Sequence, residues 1–326
     1  MKKIHVFFVI LILGLFLRAL FSLGSSFLPT ILVPLVDLLG TVLLYIATAY
    51  FFWNLAIYLY QLRVSHDTEF PGVMFEDFTL RVEELGHDVF GTLLSSMHSD
   101  EATPLVIAMT GGGGKHEDLF GTGAMLVQSG VKVLLFDHPG IVGKSHGTNP
   151  ASKVITAPKS ILALRKVMDY ALARDDIKTS NVGLFGGSLG AFTAVYGGFS
   201  DPRVKVIVGE CTGLLENAAD LKRMKKSIPL WFKQYCKSIK LDTDSLASLD
   251  IEQFSKSGDQ ALKNRIYLVH AKDDYAVPYW AHENLKKALE LPDENCLVFE
   301  KGGHGLFDHQ SMLAGWIIDK LRRHLF

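Results

Sequence analysis

Six short apolar runs between residues 104 and 300 constrain the fold of this chain more than any other feature. They read PLVIAMT, VKVLLFD, NVGLFG, VKVIVG, RIYLVHA and CLVFE, and most are rich in β-branched residues. A run that is apolar at successive positions predicts a strand buried on both faces, as inside a parallel sheet. Helical stretches separate most of the runs. PKSILALRKVMDYALARDD, residues 158–176, opens on Pro158 and carries apolar residues at helical spacing. Two earlier segments, FEDFTLRVEE and DVFGTLLSSM, predict strands ahead of the series. Strand and helix alternate, so the class is α/β. The longest interruption, Cys211 to Asn264, follows the sixth strand. No internal repeat or low-complexity segment breaks the pattern.

The first 62 residues have a different character. The chain starts with Lys2 and Lys3 and then turns apolar, broken by Arg18. The stretch from Leu38 to Tyr60 carries no charge. A hydrocarbon core about 30 Å thick needs about 20 apolar residues to cross it. Residues 1–62 are therefore expected to be a membrane anchor, a hairpin of two spans at about 4–23 and 38–60. A cleaved signal peptide over the first run is the alternative. Lys2, Lys3 and Arg63 would lie on one side, which the positive-inside rule makes cytoplasmic, so the remaining domain, 63–326, is expected to face the cytoplasm. Charge adds little: 33 Lys and Arg oppose 34 Asp and Glu, which argues against a nucleic-acid partner. Three scattered cysteines, Cys211, Cys236 and Cys296, form neither a disulfide framework nor a CxxC site. No obligate protein partner is implied.

Chemistry concentrates at three strand ends. Gly186-Gly187-Ser188-Leu189-Gly190 matches G-x-S-x-G, with an apolar strand before it and a small-residue helix after it. Glycines suit a turn where side chains would collide with strand and helix, and the serine oxygen then projects over the helix N-terminus. VHAKDDYAVP places Asp273 and Asp274 just after a strand, and FEKGGHGLF places His304 in a glycine-rich loop after the last strand. GGGGKH is not a phosphate loop, because Met109 stands where its first glycine belongs and His116 where Ser or Thr belongs. The histidines form no metal motif, and no metal or organic cofactor is expected.

With the order Ser188, Asp274, His304, residues from about Phe75 to the C-terminus resemble the α/β-hydrolase superfamily of serine hydrolases. The resemblance implies a mainly parallel eight-stranded sheet with helices on both faces, preceded here by the membrane hairpin. It also implies a triad of Ser188 as nucleophile, His304 as base and Asp274 as acid, the last fitting H-x-x-x-D-x-x-V-P from His270. Asp273 and Glu210 are the competing acids. TGGGGK stands where the superfamily has its His-Gly oxyanion loop, so the N–H groups of Gly112 and Leu189 are the expected oxyanion donors, with Gly113 as an alternative. FDHPGIVGKSHG resembles the stretch after the fourth strand, with one extra residue. That stretch and the anchor are similar to membrane-anchored (lyso)phospholipid lipases of the α/β-hydrolase-domain group. YALARDDIKTSNVGLFGGSLGA is similar to the nucleophile segment of acyl-CoA thioesterases and bile-acid acyltransferases.

The expected function is a membrane-anchored hydrolase of lipid or other acyl esters. A thioesterase or acyltransferase is the alternative, and a catalytically degenerate membrane-tethered scaffold stands as a different class. The insertion at about 211–264 is expected to be a lid. Within it LKRMKKSIPLWFKQYCKSIK, Leu221 to Lys240, holds seven basic residues and no acidic one, a pattern suited to an anionic membrane surface.

Overall fold

The computed structural model describes residues 38–46, 48–50, 52, 70–98, 102–199, 201–247 and 260–326. By internal contacts the chain divides into two units, Met1–His66 and Asp67–Phe326. In the first unit residues 38–46 are helical, and Leu38, Leu39, Val42, Tyr45 and Ile46 are exposed. Among the described residues no helix is long and apolar enough to cross a membrane. The hairpin expected over 4–23 and 38–60 thus gains no support; its first run and ten of the 23 residues of its second lie outside the described residues.

The second unit is built on one eight-stranded sheet in the order β1-β2-β4-β3-β5-β6-β7-β8. The strands are β1 (Val73–Val82), β2 (His87–Ser96), β3 (Thr103–Met109), β4 (Lys132–Phe136), β5 (Ile177–Gly187), β6 (Val204–Glu210), β7 (Ile266–Ala271) and β8 (Cys296–Phe299). β2 runs antiparallel to both of its neighbours, and all pairings from β4 to β8 are parallel. The six apolar runs occupy β3 to β8. Every residue of β4 and β7 is buried, as a strand covered by helices on both faces must be.

Helices α1 (Phe120–Gln128), α2 (Ala157–Leu172), α3 (Leu189–Gly198), α4 (Ala218–Ser227), α5 (Leu230–Ser238), α6 (Gln260–Lys263), α7 (Tyr279–Ala288) and α8 (Gln310–Leu325) complete the unit. Two buried clusters form the core, one on each face of the sheet. Ile161, Leu164 and Met168 of α2 pack with Phe192 and Val195 of α3 on one face. Leu126 of α1 packs with Leu313, Ile317 and Leu321 of α8 on the other. The start of α2 follows from its sequence: the Thr156 hydroxyl accepts the Lys159 N–H at 3.4 Å, and Pro158 fills a first-turn position that needs no donor. The strands from β3 to β8 therefore present their carboxyl ends to one side, where α/β sheets place their sites.

Candidate active site

Ser188 caps α3 in a conformation few side chains adopt, φ 53° and ψ −117°. Such a backbone costs about 1–3 kcal/mol and persists only where its surroundings enforce it. Here the Ser188 N–H donates to Glu210 O at 2.8 Å, and its carbonyl accepts the Phe192 N–H at 2.9 Å. The flanking glycines are sterically obligatory. A Cβ on Gly186 would lie 2.3 Å from the Gly190 carbonyl carbon, and one on Gly190 would lie 2.3 Å from Met109 O. Gly187 has room, its nearest neighbour being Glu210 Oε2 at 3.7 Å from a built Cβ.

The turn carries Ser188 Oγ to 2.9 Å from His304 Nε2. The other ring nitrogen, Nδ1, faces Asp274 at 2.9 Å from Oδ2 and 3.1 Å from Oδ1. The Asp274 side chain is fully buried, and Oδ1 also accepts the N–H groups of Ala276 at 2.8 Å and Val277 at 2.9 Å. Burial pushes the Asp274 carboxyl up, but the His304 hydrogen bond and charge, the charge of His270 and the Val277 N–H outweigh it and hold it below the usual range. Asp274 thus stays ionised and fixes the ring. His304 stands in a loop that needs glycine, with φ of 60° at Gly303 and 123° at Gly305.

The competing acids point elsewhere. Asp273 is exposed, and its Oδ1 accepts the Gly303 N–H at 2.8 Å, which ties the acid loop to the histidine loop. Glu210 lies beside Gly187, in the cavity in front of Ser188. Burial pushes its pKa up to about 7.

Gly112 lines the same cavity as Ser188, and Leu189 is the first residue of α3, where N–H groups lack intrahelical acceptors. A Cβ on Gly111 would come within 3.3 Å of Ser188 Cβ, so the glycine loop lies close against the nucleophile. Three residues to which the sequence reading gave no role, His138, Asp137 and His116, hold this loop. His138, fully enclosed, donates from Nε2 to Thr110 O at 2.8 Å. Asp137 Oδ1 accepts the His116 N–H at 2.9 Å and pairs with His116 Nδ1 at 2.7 Å, while Oδ2 accepts the Lys144 N–H at 2.7 Å. The segment after β4 is thereby a brace between the glycine loop and the sheet. Cys211, at φ 52°, was also missed: its Sγ and one donor atom each of Asp274 and His304 lie within 4.8 Å of one another. Such a trio could grip a cation, but Asp274 and His304 are already paired with each other. Burial first, then the Asp274 charge, raises the thiol pKa, so Cys211 is a neutral neighbour of the acid.

Ser188 separates two cavities. One, of about 60 Å³, is walled by apolar side chains including Leu189, Phe192, Leu215, Met224 and Val277. The other, of about 260 Å³, is lined by Gly111 to Gly114, Glu210, Phe232, Tyr235 and His304. Residues of the segment 211–247 contribute to the lining of both. The Phe232 ring stands edge-on to His304 with centroids 6.0 Å apart, and Trp231 packs on Tyr275 at 5.0 Å. A side chain at Gly113 would collide with the Tyr235 hydroxyl.

The profile of the Prolyl oligopeptidase family matches residues 125–321, more than half of the chain, from α1 through most of α8. The match takes in Ser188, Asp274 and His304 and leaves Gly112 outside. No curated protein matches the chain in sequence. Among solved structures, a cold-adapted esterase from an Arctic intertidal metagenomic library is similar at TM-score 0.56 and 17% identity, over 79% of this chain and 97% of that one. An esterase of Pyrococcus furiosus is similar at 0.56 and 16%, over 78% and 94%. An acetyl xylan esterase from Paenibacillus sp. R4 is similar at 0.58 and 15%, over 78% and 86%. At these identities the likeness is one of fold. Strand order, nucleophile turn and profile agree, and the chain belongs to the prolyl oligopeptidase family, a branch of the α/β-hydrolase superfamily of serine hydrolases.

Proposed function

We propose that the protein hydrolyses carboxylic esters through Ser188, His304 and Asp274. One observation carries the reading: the hydrogen-bonded line from Ser188 Oγ through both His304 nitrogens to a buried, ionised Asp274. His304 Nε2 takes the hydroxyl proton as Oγ attacks the ester carbonyl. The carbonyl oxygen becomes an oxyanion and is held by the N–H groups of Gly112 and Leu189. Collapse breaks the bond to the alkoxy group, which leaves as alcohol with the proton from His304. Water, deprotonated by the same ring, then attacks the acyl-serine, and a second collapse returns the carboxylic acid and free Ser188. Three of the structurally similar proteins are esterases, which supports ester over peptide substrates. The apolar cavity suits the acyl group, and its walls exclude water from the reacting carbonyl.

The lipid reading belongs to the same proposal. It rests on the charge-free run 38–60, on the basic residues of α4 and α5, and on Leu230 and Trp231, exposed to 71% and 56% at the start of α5. An anchor in residues 1–62, with the hydrolase on the cytoplasmic side, would place membrane lipid esters within reach. A fluorophosphonate probe tests the chemistry. Labelling of the wild type and none of Ser188→Ala is expected, whereas equal labelling of both would move the nucleophile elsewhere.

A further inference from the structure

Glu210 has no task in the mechanism above. It ends β6, and its main-chain carbonyl holds the nucleophile turn, but its side chain reaches into the larger cavity beside Ser188. Among the described residues its carboxyl has no hydrogen bond or ion pair, and burial alone perturbs it. Glu210 is half-buried, and a carboxyl drawn partly out of water without a partner is costly. No lysine or arginine lines this cavity. Its other walls include the rings of Phe232 and Tyr235, carried on α5 of the lid. An anionic oxygen and two aromatic rings around one open cavity are the elements that recognise an organic ammonium.

The two cavities also differ in the part of an ester each suits. The apolar one, with Phe192, Leu215 and Met224, takes the acyl group. The alcohol is then directed to the other side of Ser188, toward Glu210. We propose that the cavity of Glu210, Phe232 and Tyr235 binds a cationic ammonium on the alcohol portion of the substrate, so that the preferred substrates are esters of amino alcohols. This rests on the ester-hydrolase reading and adds the chemistry of the leaving group. The cation pairs with Glu210 while its alkyl hydrogens face the two rings, and the alkoxy oxygen stays within reach of His304.

The test compares two esters with one acyl group and isosteric alcohols, a choline ester and the neutral 3,3-dimethylbutyl ester. The readout is the ratio of their kcat/KM values, in which acyl binding and triad chemistry cancel. The wild type is expected to favour the choline ester by about tenfold or more, and Glu210→Gln to bring the ratio to about one. A wild-type ratio near one, or an unchanged ratio in Glu210→Gln, overturns the proposal. Cleavage of the neutral ester by the wild type tests the ester reading separately; if neither ester is cleaved, that reading falls and this one with it. Should Glu210→Gln fail to fold, tetramethylammonium chloride against wild-type cleavage of the neutral ester decides. Competitive inhibition beyond that of sodium chloride at equal ionic strength supports the ammonium site, and its absence overturns it.

Discussion

Glu210 should be a measurable burden on the fold. Its pKa rises from an ordinary 4.5 to about 7 on burial, so the native state holds the proton more tightly than the unfolded chain does. The sign follows from linkage: stability is full below about pH 4.5, declines through the interval and has lost its whole share above about pH 7. At about 1.36 kcal/mol per pH unit across that gap, the loss is about 3 kcal/mol at most. The partial exposure of the side chain lowers this to about 2 kcal/mol. Glu210→Gln removes the titration and keeps the shape. Urea unfolding of both proteins at intervals from pH 5 to pH 8 is the assay. The stability of the variant relative to wild type is expected to rise by about 2 kcal/mol over that range, whatever its offset at pH 5. Groups common to both proteins cancel in the difference. Parallel stability curves would mean that the carboxyl is solvated or paired in solution, and the reasoning from its isolation would fail.

Three further outcomes follow from the site. Asp274→Asn should lower kcat on a p-nitrophenyl ester by about 10⁴, the cost of losing ring orientation and charge, while Asp273→Asn, which loses one exposed contact to Gly303, should keep most of the rate. Met224→Trp projects into the apolar cavity beside Ser188 and should shift the acyl-length optimum toward shorter chains in a p-nitrophenyl ester series. The exposed Lys222, Lys226 and Lys237 changed together to Glu should weaken binding of the full chain to anionic vesicles, measured by co-sedimentation, with little change on a short soluble ester.

Much of the site was legible because it sits where sequence is most constrained. The apolar runs read as strands since no other element tolerates such burial over so few residues, and G-x-S-x-G reads as a turn since a Cβ at Gly186 or Gly190 has nowhere to go. The spacing from His270 favoured Asp274 but left Asp273 a competitor, because adjacent carboxylates share one context. The fold divides them by backbone direction, one turning inward onto the Ala276 and Val277 N–H groups and the other outward to Gly303. The brace from Asp137 to His116 spans 21 residues and has no local signature. The same holds for Cys211 beside Asp274, and for Phe232, whose basic neighbours in α5 suggested a surface while its ring turns to His304. Such facts depend on which strand ends become neighbours, and that is a property of the assembled sheet.

All ten residues of α3, Leu189 to Gly198, are buried. In α4 and α5, by contrast, Met224 and Cys236 are the buried residues. Local opening follows this difference, because segments with little buried surface separate from a fold at lower free energy than its centre. Helices α4 and α5 are thus expected to loosen on warming before α3, the serine-bearing helix, exposes its amides to exchange. Discrimination and turnover, as proposed, would therefore have different thermal lifetimes in one molecule. On the proposed reading, the choice of alcohol, which needs Phe232 and Tyr235 in place, is expected to fade at a temperature where Ser188, His304 and Asp274 still stand in line, so that heating costs selectivity before it costs activity.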